Sequence, residues 1–254
     1  MQRVRELTAG RYTGITAAVI LLSWLGFAFL PQHGASHTSA PSAEHMPGMH
    51  HANMAPMAAP VVHQPALWMA IVSWIVMTIA MMGPATLPAV QYVEQNTLRG
   101  RRGAMVALYA AIWILVWCVV GVVITLALST TSHLSRWWLF AAALMLAALW
   151  QLTPPKRWAL GDCHRSTPLS PRGWPAAKGA MRFGAFNGSS CVRSCWAVML
   201  AMAVAPSAHL VWMVVLTAVV TYERFTQRPR QMLRLLGVLL ALTAAGVGAF
   251  ALLQ

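Results

Sequence analysis

The sequence predicts an all-α fold, a polytopic transmembrane helical bundle of about seven spans with its N-terminus inside and its C-terminus outside. Three observations carry that expectation. Only 9% of the 254 residues are charged and 58% are apolar, where soluble domains carry roughly 25% charged residues. Apolar runs close to the roughly 20 residues that cross a bilayer recur along the chain, each interrupted by a short polar segment. Basic residues gather between alternate runs, so the net charge of +13 reports topology. A nucleic-acid partner is excluded on that distribution, because such a partner needs basic residues on a soluble face.

The spans are expected at Gly14–Leu30, Ala66–Val90, Ala104–Leu128, Trp137–Leu152, Phe183–Ala205, His209–Tyr222 and Leu235–Leu253. The fourth and sixth are short, which requires little tilt or borrowed flanking residues. Arg3, Arg5 and Arg11 precede the first span, and Arg99, Arg101 and Arg102 follow the second. Lys156, Arg157, Arg165, Arg172, Lys178 and Arg182 follow the fourth, and Arg224, Arg228, Arg230 and Arg234 follow the sixth. The positive-inside rule puts all of these in the cytoplasm, leaving Arg136 outside and Arg193 within span five. Residues 1–30 read as a retained anchor rather than a cleaved signal peptide, because no clear Ala-x-Ala site follows the apolar run. The expected organisation is thus an anchor over 1–30, an outer loop over 31–65 and a six-helix domain over 66–254.

The outer loop is rich in Pro, Ala and Ser, lacks any basic residue and is expected to be disordered until it binds a ligand. Six of the nine histidines fall in it, and His45, Met46, Met49, His50, His51 and Met54 crowd into ten residues. Imidazole accepts several transition metals, whereas a thioether is a soft donor that favours Cu(I). The mixture therefore points to a copper ion first, with zinc or nickel as alternatives. The competing reading is a polar linker in which these residues only keep the loop soluble.

Span two carries Trp74, Met77, Met81, Pro84 and Pro88 on one stripe at about 100° per residue. Its prolines lack amide donors, so the outgoing end is expected to kink or break and to free carbonyls. Span five carries Cys191, Cys195, Met199 and Met202 at spacings of four, four and three, which sets four sulfur atoms on one face. Gly184 and Gly188 let another backbone approach, with span two as the expected neighbour, so that the two sulfur faces could share a Cu(I) ion. Against this, Met and Cys are common gap fillers in buried interfaces.

Arg193 is costly in hydrocarbon and is expected either to face the bundle and pair there, with Glu223 the nearest carboxylate by depth, or to snorkel to the interface if span five begins later than drawn. His209, beside Pro206, reads either as a further ligand or as a solvated cap. Cys163 and His164 are adjacent in the cytoplasmic loop and could add donors, although no second Cys stands at zinc-finger spacing. No phosphate-binding Gly loop, dinucleotide fingerprint or hydrolase triad is present, so no catalytic residue is assigned.

Three motifs in order carry a resemblance: Trp74-x-x-Met77-x-x-Ala80-Met81-Met82-x-Pro84-x-x-x-Pro88, Gln151-Leu152-Thr153-Pro154-x-Lys156, and Cys191-x-x-x-Cys195-Trp196-x-x-Met199 with Trp212-Met213 and Glu223. Over Ala66–Arg224 the chain resembles a bacterial family of predicted metal-binding integral membrane proteins, catalogued as a domain of unknown function. The resemblance implies metal binding. It also marks departures: Ala159 and Ser194 stand where the family usually has cysteines, and the stretch Pro206–His209 replaces a Gly-x-Met-Asn run.

The expected role is copper capture, handling or delivery in the bacterial inner membrane, with the His/Met loop on the periplasmic side. The expected partners are the lipid bilayer and a cuproenzyme or membrane complex. The alternative is a non-catalytic scaffold or assembly subunit, motivated by twelve Trp residues and the small-xxx-small pair.

Overall fold

A computed structural model describes residues 10–29, 67–131, 134–163, 165, 167–170, 173–225 and 229–253. The described residues are helical, without a strand: α1 (Arg11–Phe29), α2 (Leu67–Gln95), α3 (Arg102–Ser129), α4 (Arg136–Leu152), α5 (Pro154–Cys163), α6 (Gly173–Val204), α7 (His209–Phe225) and α8 (Pro229–Leu252). Each of the seven expected apolar segments forms a helix. The outer loop, with His45, Met46, Met49, His50, His51 and Met54, lies outside the described residues, as does His164.

α1 and α2 form an antiparallel pair whose register is set by three contacts. The Glu94 carboxylate accepts from the amides of Tyr12 (3.3 Å) and Thr13 (3.1 Å) and from the Thr13 hydroxyl (2.8 Å), satisfying donors that the first turn of α1 would otherwise orphan. Ile20 lies against Gly83, where a Cβ would meet its side chain at 2.6 Å. The Trp24 indole donates to the Ala80 carbonyl at 3.0 Å. That carbonyl is the one Pro84 leaves without its usual i+4 donor.

This last bond bears on a correction. α2 runs unbroken from Leu67 to Gln95 with Pro84 and Pro88 inside it, rather than breaking at the prolines. A carbonyl freed by Pro84 costs little once an indole N–H occupies it. Pro84 is half-buried and Pro88 exposed, so the buried part of the expected stripe is its methionine part.

A second correction concerns the glycines of α6. α6 packs beside α3, not α2: a Cβ on Gly184 would meet the Tyr109 carbonyl at 2.7 Å, and one on Gly188 would meet Val116 at 3.3 Å. The matching offsets make α3 and α6 parallel neighbours at close approach. α4 pairs with α8, Trp137 meeting Phe250 edge-on with ring centroids 5.0 Å apart.

The third correction is α5, where the sequence suggests a loop. Thr153 is extended (ψ 145°), as a residue before proline prefers, and Pro154 and Pro155 then open a new helix bent by 76° from α4. The bend folds α5 back against α6 and buries Lys156 completely.

Among the described residues, three helical stretches are long and apolar enough to cross a membrane: Ile71–Gln95, Arg99–Ser129 and Gln231–Leu252; the bent α4–α5 pair makes a fourth if it is one span. α6 is longer still, but it carries Lys178, Arg182 and Asn187 in its first half and Arg193 in its second. α3 and α8 leave Leu115, Val119, Leu126, Leu235, Val238 and Leu242 exposed.

Candidate metal centre

The main core lies where α2, α3, α4, α6 and α7 converge, and it is unusually rich in sulfur. Met81, Met82, Cys191, Cys195, Met199, Met202 and Met213 are all at most 1% exposed, and Met77 is 7% exposed. All belong to one cluster, closed by Trp113, Trp117, Phe140 and Leu144. The cluster therefore includes the sulfur donors named from the two stripes. Met82 and Met213 join them; their only sequence signal was membership of the motifs.

Cys191 and Cys195 lie one turn apart on α6, and both are buried. The Ser194 hydroxyl donates to the Cys191 carbonyl at 2.9 Å, so it is held in place. It stands 3.3 Å from the Cys195 Sγ and 3.9 Å from the Cys163 Sγ. Cys163, at the end of α5, is thus brought next to the α6 thiols by the bend at Pro154, with Ser194 between. The described cysteines are free thiols. No group of three or more His, Cys, Asp or Glu side chains among the described residues converges tightly enough to hold a metal ion. What the cluster offers is two thiols and several thioethers within one buried core, a donor set that suits a soft monovalent ion better than a hard or borderline one.

Beside the thiols sits a buried charged group. Lys156 and Glu223 form an ion pair at 2.7 Å, each side chain 1% exposed, and the Gln151 amide donates to the other Glu223 oxygen. Three helices, α4, α5 and α7, are locked by this group. Arg224, also buried, donates to the Ala85 carbonyl at 3.4 Å and ties α7 to α2.

These contacts correct the expected partner of Arg193. Glu223 is taken by Lys156 and Gln151, whereas Arg193 is exposed and reaches Asp162 (3.2 Å) and the Ser190 hydroxyl (3.1 Å). Arg193 leaves α6 on the side away from the buried thiols and does not face the bundle, because Asp162 on α5 offers a carboxylate at the surface. Lys156, Gln151 and Arg224 carried no site assignment from the sequence. The Gln151-to-Lys156 motif was legible, but its convergence on Glu223 depends on the bend. His209 opens α7, half-buried, at the end of that helix remote from Glu223.

A cavity of about 240 Å³ opens between the outgoing ends of α2, α5 and α7 and the first half of α6. Pro88, Tyr92, Cys163, Asn187, Arg224 and Phe225 line it.

A family model described as PpoB2, copper chaperone, matches residues 71–247. No curated protein and no solved structure matches the chain.

Proposed function

Because the chain belongs to the PpoB2 copper chaperone family, we propose that it holds Cu(I) as cargo at the Cys191–Cys195 thiols and passes it to a cuproprotein. The observation that carries this reading is the buried cluster in which two thiols and the thioethers of Met81, Met82, Met199 and Met202 share one core, with no imidazole in it among the described residues. Thioethers stay neutral and soft, so they can stabilise Cu(I) without adding charge to an apolar interior. Metal loading requires thiol deprotonation, and the nearby buried Arg224 offsets part of the negative charge that results, the Lys156 charge being balanced by Glu223.

The finer parts of the reading concern the membrane. The chain is a multi-pass protein of the bacterial inner membrane, its seven apolar helices crossing with the N-terminus in the cytoplasm. The exposed apolar faces of α3 and α8 support contact with lipid. The segment His33–His63 is periplasmic and captures copper for the thiols. A scaffold role has less support, since Gly184 and Gly188 are already occupied by α3 and offer no face to a partner.

The test is copper stoichiometry of purified protein in detergent for the wild type, a deletion of residues 33–63, and the Cys191→Ser/Cys195→Ser variant. Tight Cu(I) survives the deletion and is lost in the double variant. Equal copper in all three would sink the reading.

A further inference from the structure

We infer that the cavity beside Cys163 binds a small anionic thiol, a carrier from which Cu(I) is exchanged onto Cys163 as a second source, at the opposite end of the bundle from the periplasmic segment; this rests on the copper reading above. Four observations meet there. The buried guanidinium of Arg224 lines the wall, and Arg165 stands at the rim, its side chain 75% exposed and linked to Asp162 at 3.4 Å. No acidic side chain is among the described residues that line it. The wall is therefore positive, in an apolar setting where a carboxylate gains more from a guanidinium than it does in water.

Asn187 also lines the cavity, is 2% exposed, and its Oδ1 has no hydrogen-bond partner. An orphaned buried acceptor costs about 1–3 kcal/mol, so it calls for a donor from an occupant. Finally, Cys163 faces the cavity and also neighbours Ser194, whose hydroxyl touches Cys195. It alone among the described thiols lines the cavity and adjoins the buried pair.

The occupant these groups fit has a carboxylate for Arg224, an N–H for Asn187 and a thiolate within reach of Cys163. At roughly 30 Å³ per water, the volume equals about eight waters, which admits a molecule of cysteine to dipeptide size. Exchange balances simply. The Cys163 thiol binds Cu(I), its proton goes to the departing thiolate, which leaves as the free thiol, and copper remains Cu(I) throughout. A second exchange moves the ion to Cys195.

The experiment uses the full chain in detergent under reducing, anaerobic conditions, with cysteinylglycine as the probe and cysteamine, which lacks the carboxylate, as the comparator. Ala89→Leu fills the cavity without removing a polar group, and Arg224→Gln removes the anion's partner. Metal-free cysteinylglycine should bind the wild type measurably by calorimetry and at least about tenfold more weakly to Arg224→Gln, the scale expected for losing a buried charged contact. Ala89→Leu should take Cu(I) from a bicinchoninate complex to wild-type stoichiometry. It should take Cu(I) from the cysteinylglycine complex at least tenfold more slowly than wild type. Wild-type exchange rates in Ala89→Leu, or cysteamine serving as well as cysteinylglycine, would overturn the inference while leaving the copper reading intact. A wild type that takes no copper from bicinchoninate would instead refute the copper reading, and the relay with it.

Discussion

Breaking the Lys156–Glu223 pair should be among the most damaging single changes in the molecule. Both side chains are 1% exposed and 2.7 Å apart, so each charge has given up its hydration and is balanced mainly by the other. Removing one partner from a buried pair leaves an uncompensated charge and costs about 3–5 kcal/mol, whereas replacing both with apolar groups is often neutral or stabilising. Glu223→Gln and Lys156→Met should each fall in that range. For a chain of this size the loss corresponds to a drop in Tm of roughly 6–20 °C, at about 2–4 °C per kcal/mol. The Lys156→Met/Glu223→Leu variant should recover most of it. A double-mutant cycle by thermal or denaturant unfolding in one detergent reads the coupling directly. Single variants within about 1 kcal/mol of wild type and no coupling would show that the bend at Pro154 does not bury this pair, and the placement of α5 would fall with it.

Three further outcomes follow from the geometry. Gly184→Ala drives a Cβ into the Tyr109 carbonyl at 2.7 Å and should destabilise by about 1–3 kcal/mol, whereas Gly161→Ala, with nothing within 4 Å, should not; a melting comparison checks both. Arg193→Leu removes an exposed pair with Asp162 and one hydrogen bond to the Ser190 hydroxyl, so unfolding should shift by no more than about 1–2 kcal/mol with copper content unchanged. Ser194→Cys places a third thiol between Cys163 and Cys195, and should both retain more copper under chelator competition and begin to bind zinc, measured by metal analysis.

Helix positions were legible because each apolar run, even the short fourth and sixth, is bounded by charge or proline, which is local information. α5 was not. Its sequence, Pro-Pro-Lys-Arg-Trp, carries every mark of a solvated turn, and only the packing of α5 on α6 makes Lys156 a core residue. The sulfur spacing on α6 announced a buried face in advance, since Cys and Met at four, four and three recur once per turn. The neighbour of that helix could not be read the same way: Gly184 and Gly188 say that something approaches closely, not which helix does. Glu223 was only the depth-matched candidate for Arg193, beside an exit to the interface, because depth along a helix does not say which neighbouring helix a side chain meets. The unbroken course of α2 through Pro84 depends on Trp24, fifty-six positions from Ala80 in the chain.

The most direct test of the account is copper X-ray absorption on protein loaded with Cu(I), comparing the wild type with Cys191→Ser/Cys195→Ser after both are shown to melt cooperatively. The account predicts a shell of sulfur alone around copper in the wild type, and loss of the tightly held ion in the variant. The same copper content with an unchanged shell in both proteins would contradict it.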